Sequence, residues 1–465
     1  SIGCNDCWEM CSLSQTGPVP PISARDLRIS LRYVILAVCF GMVFFSVTNG
    51  PALTGFARKL GANDLVFSLL MALPALGGVA QVFASYLLER SGNRKLFFLV
   101  SLYPQRLVWI GVALVPVVLQ ETTPRIVAAI ALIGISGICG SFGNVAFMSW
   151  MADLIPGQMR GRFFGTRSML STAVAVVTAW SVGWFLDRFP SFGGYGAVFA
   201  TAAVFGAVDI AFFHFIKEPP MNRSADSPRL TEILFEPFRS KAFTRFVIFW
   251  CSAMFAQMLM GPFTTLYLLE SLSLDFSQAS LYVQVIPNIA IFLAARKWGL
   301  MIDRYGCKPV LTVAMTVQAF LPFLWILTSA SRWWLMLFAS FVGGFFWSAM
   351  DLGAVNMLMR SSPDRNRSAY VANYSLMSGV LGNALPYLTA GAFLSVVHPI
   401  TESLDMTILG SPLTRFHLLF LLSGLLRLAV LLFILPGLDD PQSRETGQML
   451  RESLRVRPSA AVRSH

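Results

Sequence analysis

Long apolar runs, separated by short polar stretches, occupy most of the chain. Each run is close to the 20 or so residues that an α-helix needs to cross a bilayer. Backbone groups in lipid must be hydrogen-bonded within the segment, which a helix achieves. The pattern predicts an all-α integral membrane protein with twelve transmembrane helices, over residues 31–56, 65–88, 96–119, 126–155, 163–186, 197–216, 246–269, 277–302, 310–328, 334–359, 369–397 and 416–435.

Composition supports this interpretation. Of the 465 residues, 55% are hydrophobic and only 13% are charged, whereas roughly a quarter of the residues in a soluble domain are charged. Three cysteines near the start, Cys4, Cys7 and Cys11, have a spacing that could hold a metal. A structural zinc site needs four ligands and no fourth is nearby, so we expect a tail without metal.

Lysine and arginine are distributed unevenly between the two sides that the predicted loops define. With a cytoplasmic N-terminus, the two tails and the cytoplasmic loops hold 27 of the 35 Lys and Arg residues, and the opposite loops hold six. This positive-inside asymmetry predicts that both termini are cytoplasmic. It also accounts for the net charge of +11 without a nucleic-acid partner. We expect a protein of a bacterial cytoplasmic (inner) membrane, in contact with its lipids.

The two halves of the chain repeat. Gly50-Pro51 in the first apolar segment matches Gly261-Pro262 in the seventh, 211 residues later, and two loop matches have offsets of 214 and 207. Such internal symmetry is typical of secondary transporters. The predicted organisation is a cytoplasmic tail (1–30), a six-helix bundle (31–216), a cytoplasmic linker (217–245), a second six-helix bundle (246–436) and a cytoplasmic tail (437–465).

One of the repeated loops carries a recognisable motif, G-x-x-x-D-R-x-G-x-K. The C-terminal copy has Gly299, Asp303, Arg304, Gly306 and Lys308, whereas the N-terminal copy has Ser85 and Glu89 at the first two positions. With its twelve segments and its repeat, the chain resembles the major facilitator superfamily of transporters over residues 30–436. The resemblance implies a cytoplasmic gate that pairs across the two halves in the outward-open state, with these gate residues: Glu89, Arg90, Gly92, Arg94, Arg160, Asp303, Arg304, Gly306, Lys308 and Arg367.

Known catalytic and nucleotide-binding motifs are absent from the sequence. There is no G-x-x-x-x-G-K-[ST] loop, no H-E-x-x-H and no G-x-S-x-G. We therefore expect no enzyme and no cofactor, but a monomeric secondary active transporter of a small organic solute, driven by a proton or another ion. A multidrug/proton antiporter is an alternative. The resemblance implies that such exporters carry an arginine in helix four and a Gly-Pro run in helix five, and segments four and five of this chain lack them. A non-transporting scaffold or assembly factor is another.

Polar residues deep within apolar segments are candidates for function. Asp351 lies nine residues before Arg360, roughly 14 Å along a helix, and its repeat counterpart is Asn144. A carboxyl group in a low-dielectric cavity can exchange a proton during transport, so Asp351 is the candidate for ion coupling; a substrate contact and a structural role remain open. The resemblance places segments one, four, seven and ten around the cavity, with these further candidates: Thr48, Asn49, Asn144, Trp150, Gln257, Trp347 and Asn356.

Two more charges lie within segments three and six. Arg106 is 11 residues past Lys95, and Asp209 is eight residues before Lys217. Both are therefore roughly 12 to 16 Å from the same side of the membrane. Pairing limits the cost of a buried charge, so we predict an intramembrane ion pair with a structural role. Arg427 in segment twelve has Gln318 as its expected partner.

Overall fold

The computed structural model describes residues 23–219, 235–363, 367–403, 407–408, 411–440 and Met449. These residues form twelve apolar helices, which confirms the predicted fold class. We number the helices of the N-half α1–α6: α1 (Ala24–Thr48 and Pro51–Lys59), α2 (Asp64–Leu76 and Ala80–Ser91, joined by the 3-10 turn Gly77–Val79), α3 (Arg94–Val118), α4 (Thr122–Leu154), α5 (Gly157–Arg188) and α6 (Phe192–Phe212, followed by the 3-10 turn Phe213–Phe215).

Helices α7–α12 form the C-half, and several of them contain π-helical turns. After the short 3-10 helix Glu236–Arg239, they are α7 (Lys241–Met258 and Gly261–Leu266, ending in the π turn Tyr267–Ser271), α8 (Phe276–Ser280, Leu281–Val285 and Ile286–Tyr305), α9 (Cys307–Ile326), α10 (Trp333–Ser361, after the 3-10 turn Ala330–Arg332), α11 (Arg367–Met377, Ser378–Ala384 and Leu385–Ser403) and α12 (Arg415–Ala429, Val430–Ile434 and Leu435–Gly437).

The loop between α11 and α12 contains a small departure from the predicted pattern. Two-residue strands β1 (Thr407–Ile408) and β2 (Ser411–Pro412) pair antiparallel there. Among the described residues, eleven helices are long and apolar enough to cross a membrane, and α2 contributes the shorter apolar stretch Asp64–Val79. The sidedness of the termini and the predicted boundaries of tails, bundles and linker remain predictions.

Local sequence explains where many helices start and break. Ser23, Asn63, Asn93, Ser191 and Ser240 each accept a hydrogen bond from a backbone N–H in the first turn of the helix that follows. Such side chains satisfy donors that a helix start leaves free. Proline at the first helical positions stops α1 and α7 from continuing through the repeated Gly-Pro pairs. The two halves therefore break at equivalent positions.

Helix α5 begins earlier than the sequence pattern predicted. It starts at Gly157 rather than near Phe163, because the residues from Gly157 onward continue the helix after Pro156. The polar stretch expected as a loop is thus mostly helical. Arg160 and Arg167 consequently belong to a membrane-scale helix.

The molecule has two ends, which differ in how the halves meet. We call the end where α6 leads towards α7 the linker face and the opposite end the far face. At the far face, apolar residues of both halves pack into one cluster that includes Phe56, Phe67, Phe263 and Phe416. Towards the linker face, each half has a separate cluster, around Trp150 in the N-half and Trp298 in the C-half. Among the described residues, one apolar cluster thus joins the halves at the far face, whereas each half packs around its own cluster towards the linker face.

Candidate functional site

A cavity of about 360 Å³ lies at mid-depth in the N-half. All six N-half helices contribute to its wall. The wall combines aromatic rings, such as those of Phe45 and Trp109, with the amides of Gln81, Gln105 and Asn144. Binding sites for small molecules have this composition, mainly apolar with a few polar groups that orient the ligand.

Arg106 and Asp209 meet in this cavity. An Arg106 guanidinium nitrogen donates to Asp209 Oδ2 at 3.0 Å, and both side chains are buried, with 2% and 6% of their surface exposed. The guanidinium also faces the rings of Phe44 and Phe45, 4.1 and 4.8 Å from their centroids. The sequence predicted this ion pair between segments three and six and gave it a structural role. The structure places the pair in the cavity wall.

Arg167 is a third charge in the wall, and sequence reasoning missed it. Its charge was included in the count for the cytoplasmic side, because it lies only four residues into the predicted segment 163–186. In the structure it lies in α5, ten residues from Gly157, or about 15 Å along the helix. Its guanidinium lies over the Phe147 ring, 5.4 Å from the centroid. The early start of α5 was the missing signal, because it carries Arg167 from the surface to mid-depth.

A second cavity, of about 240 Å³, lies in the C-half. Arg427 in its wall is 2% exposed and donates to the Gln318 carbonyl oxygen at 2.8 Å. The Gln318 side chain donates to the Gly343 carbonyl and accepts from Gln257 at 3.3 Å. Gln318 is thus the partner of Arg427 through its main chain, whereas its side chain binds elsewhere.

Five of the predicted cavity residues line one of these two cavities. Thr48, Asn49 and Asn144 line the N-half cavity. The Asn49 amide donates to the Thr48 hydroxyl at 3.2 Å, next to the break in α1. Gln257 and Trp347 line the C-half cavity. Helices one, four, seven and ten therefore contribute polar groups at the expected depth.

Two other predicted cavity residues lie elsewhere. Trp150 is fully buried in the N-half cluster near the linker face, where its indole packs against Phe98 and Phe213 and donates to the Lys217 carbonyl at 3.2 Å. Its ring is packed in this cluster and its N–H donor is already hydrogen-bonded, so Trp150 does not line the cavity. The Asn356 amide donates to the Leu352 carbonyl of its own helix at 2.8 Å, and Asn356 is outside the wall of either cavity.

Asp351 lies outside the walls of both cavities. It is on α10, one turn from Trp347 towards the linker face, and its side chain is exposed. It interacts electrostatically with Tyr374 of α11, whose ring stacks on Phe246 of α7. The carboxyl group therefore lies beside the C-half cavity rather than in its wall.

At the far face, two groups of polar contacts join the halves. Arg58 and Asp64 of the N-half alternate with Glu270 and Arg415 of the C-half: Arg58 Nε is 2.7 Å from Glu270, and Arg415 Nε is 3.0 Å from Asp64. Arg58 also pairs with Asp64, and Arg415 with Glu270. Separately, Asp187 at the end of α5 accepts hydrogen bonds from the first two N–H groups of α8, at 2.6 and 3.1 Å.

At the linker face, two of the predicted gate residues, Arg94 and Lys308, bind within their own half. Arg94 pairs with Asp153 at 2.6 Å, and its backbone N–H donates to Glu218 at 2.7 Å. In the C-half, the backbone N–H of Lys308 donates to Asp440 at 3.1 Å, and its side chain to the Pro436 carbonyl. The contacts of these residues thus stabilise each half separately.

The remaining gate candidates form the tight turns and their surroundings. Gly92 (φ 66°) and Gly306 (φ 92°) have positive φ and each ends a helix, a conformation that glycine adopts most easily. Arg90 and Asp303 are exposed, and Arg304 lies over the Tyr305 ring. Glu89, Arg160 and Arg367 are in helices, but their side chains lie outside the description, as do Cys4, Cys7 and Cys11.

Comparison with known proteins agrees with this geometry. The sequence matches the Major Facilitator Superfamily over residues 34–297 and 245–463. None of the curated proteins compared with the sequence matches it. The fold is similar to that of a mutant of the nucleoside transporter NupG, with a TM-score of 0.69 at 13% identity over 88% of this chain and 100% of that chain.

A second transporter structure has the same fold. It is a bacterial homologue of the human lysosomal transporter Spinster, in an inward-facing and unoccupied conformation. The TM-score is 0.65 at 13% identity, over 93% of this chain and 99% of that chain. The twelve helices, the paired cavities and the family match agree: this chain belongs to the major facilitator superfamily, a family of membrane transporters rather than enzymes.

Proposed function

We propose that the protein is a secondary active transporter that moves a small organic solute by alternating access. The observation that carries the proposal is the pair of mid-depth cavities between a far face that is joined across the halves and a linker face towards which each half packs separately. In this proposal the linker face is the open one. A solute bound there can reach one side only. Closing the linker face and opening the far face exposes it to the other.

The linker face is the cytoplasmic face in this proposal. The excess of Lys and Arg in the tails, the linker and the loops of that face supports the assignment. The conformation is then inward-open, in a monomer surrounded by the lipids of a bacterial inner membrane. The motif residues that bind within their own half are consistent with this state, because the family gate pairs across the halves when the protein opens outwards.

The far-face contacts are weak enough to break in every cycle. The arginines of the far-face ion pairs keep part of their surface exposed, although Asp64 is buried. Ion pairs near the surface contribute about 0–1 kcal/mol each, and a charged cap at a helix N-terminus about 0.3–1 kcal/mol. The four ion-paired residues Arg58, Asp64, Glu270 and Arg415, which we call the charge cluster, and the Asp187 cap together therefore stabilise this state by a few kcal/mol. Binding of a solute and a proton can supply a difference of that size.

Proton coupling through Asp351 is part of the proposal. Its exposed carboxyl group is one turn from a cavity residue and close to Tyr374, on a helix that lines the C-half cavity. In the open state, water can bring a proton to it, and closure can bring it into a drier environment. Asp351 would then exchange one proton per cycle.

Flux into proteoliposomes tests the proposal. A pH-sensitive dye inside the vesicles reports proton movement while a panel of sugars, nucleosides, amino acids and organic acids is added. Asp351→Asn should abolish solute-dependent proton flux and keep solute exchange, whereas Glu121→Gln, an exposed acid at the far face, should change neither. Normal proton coupling in Asp351→Asn would remove Asp351 from the proposal.

The same assay separates the alternatives. Proton-driven movement of many unrelated cationic drugs would favour the multidrug antiporter. Absence of flux for every solute, together with capture of a stable partner protein, would favour the non-transporting scaffold. The ion pairs between the halves at the far face and the two mid-depth cavities favour transport, since a scaffold does not require them.

A further inference from the structure

The N-half cavity carries an excess positive charge. Among the residues that the structure describes, three charged side chains line it, Arg106, Arg167 and Asp209, and the other polar residues of the wall are neutral. With both arginines protonated and the carboxyl group ionised, the wall has a net charge of +1. A charge at mid-membrane depth is costly unless something balances it.

Asp209 is already engaged by Arg106. The Arg106 guanidinium donates to Asp209 and to the Gln105 side-chain oxygen, at 3.0 and 3.2 Å. The rings of Phe44 and Phe45 cover its face. Arg106 and Asp209 therefore balance each other.

Arg167 shares the charge of Asp209 with Arg106: it interacts electrostatically with that carboxyl group but does not bond to it. Among the residues that the structure describes, it makes no hydrogen bond or ion pair, and its buried Nε has no partner. Its planar face lies over Phe147, so its N–H groups are left at the edge. A buried donor without a partner costs free energy, and an incoming acceptor can recover it.

We propose that this cavity binds the carboxylate of a monovalent organic acid, with Arg167 as the residue that receives it. The inference rests on the proposed transport function and names its substrate class. A guanidinium can donate two parallel hydrogen bonds to a carboxylate. One carboxylate balances the single excess charge, whereas a doubly charged phosphate would leave the wall negative. Rings and amides of the wall accommodate the rest of the solute.

Binding to the purified protein in detergent tests the inference independently of transport. Calorimetry and thermal-shift measurements compare three acids with their isosteric amides: benzoate with benzamide, nicotinate with nicotinamide, and butyrate with butyramide. At least one acid should bind at least tenfold more tightly than its amide. If no acid binds more tightly than its amide, the inference is wrong, whatever the flux assay shows.

Matched variants locate the site. Arg167→Gln should weaken binding of the acid roughly ten- to hundredfold and leave the amide unchanged. Arg188→Gln is the control, because Arg188 is an exposed arginine of the same helix that also lies over a ring, that of Trp184. Arg167→Lys keeps the positive charge but cannot donate two parallel hydrogen bonds to a carboxylate. It should therefore retain part of the preference for the acid.

A second variant serves if changes at Arg167 prevent folding. Asn144→Asp adds a negative charge to the same wall at an exposed position, and its repeat counterpart is already Asp351. It should abolish the preference for the acid. If it or Arg167→Gln binds acids like the wild type, Arg167 is not the receiving residue. Acid-selective binding without flux of any solute would support this binding site and contradict the transport proposal.

Discussion

The same type of bond occurs at both faces of the molecule, but with different partners. At the far face, Asp187 of the N-half caps the start of α8 in the C-half. At the linker face, Glu218 caps α3 and Asp440 caps α9, each within its own half. A carboxylate at a helix start thus joins the halves at one face and consolidates each half at the other. The comparison shows that only the far-face caps must break when the halves rock.

The apolar packing follows the same division. One cluster spans both halves at the far face, whereas separate clusters fill each half towards the linker face. A rigid half with its own core can move as a body, because its internal contacts do not change. The four predictions that follow alter the contacts between the halves, with progressively smaller expected effects.

The largest effect should come from Gly183 in α5. A Cβ at this position would lie 2.7 Å from Ser277 Cα and 2.9 Å from the Phe276 carbonyl oxygen, both backbone atoms of α8. Gly183→Val should therefore exclude the closed far face and shift the population more than tenfold towards the opposite state. In a background without native cysteines, labelling of Asn49→Cys by an impermeant thiol reagent from the far side should accelerate accordingly.

The matched control for this change is Gly165→Val on the same helix. A Cβ at Gly165 would meet nothing within 4 Å. The reporter should label at the wild-type rate in this variant. Equal rates for the two valine variants would contradict the view that α5 and α8 close the far face.

The charge cluster should have the next largest effect. Arg415→Gln removes the pairs with Asp64 and Glu270, and it leaves the buried Asp64 with Arg58 alone. Two ion pairs of about 0.7 kcal/mol each correspond to a shift of about tenfold towards the open far face. Arg125→Gln, which loses bonds to two carbonyls and a contact with the Phe192 ring, all within its own half, should leave the labelling rate unchanged; acceleration there would indicate a general destabilisation.

Loss of the Asp187 cap should shift the population by a smaller factor again. Asp187→Asn removes the charge but keeps an acceptor at the start of α8, so about 1 kcal/mol is lost, or about a fivefold shift. Asp275→Asn is the control, since the Asp275 side chain makes no capping hydrogen bond at that helix. The same labelling assay applies, and similar shifts in both variants would assign the effect to general charge rather than to the cap.

The smallest effect should come from Asp303 at the linker face. Asp303→Asn should move the population further towards the state open at that face, by about twofold at most, because the apolar clusters of the two halves are already separate there. Labelling of Asn49→Cys from the linker side reports the change. A large shift towards the closed linker face would show that Asp303 does not belong to the gate.

The sequence was sufficient for the fold because apolar length and repeat symmetry determine it. Twelve runs became twelve helices, and the repeated Gly-Pro pairs became breaks at equivalent positions. The contact between Arg106 and Asp209 could also be anticipated, since both depths follow from helical rise. The cavity around that pair could not, because depth along a helix does not reveal which way the side chain points.

Helix boundaries and side-chain direction explain what sequence reasoning missed at the site. Arg167 resembled a topology charge until α5 was seen to begin at Gly157. Trp150 has the right depth on α4, but it points into the N-half core instead of the cavity. A one-residue step along a helix rotates a side chain by about 100°, so only packing decides which face it occupies.

Paired distance measurements test alternating access most directly. Spin labels at Ser91 and Pro363 span the linker face, and labels at Glu121 and Ser273 span the far face; all four residues are exposed. In Gly183→Val, and in the wild type with a transported solute, a population with a shorter linker-face distance and a longer far-face distance should appear together. Distances that stay fixed at both faces, or that change in the same direction, would contradict the account.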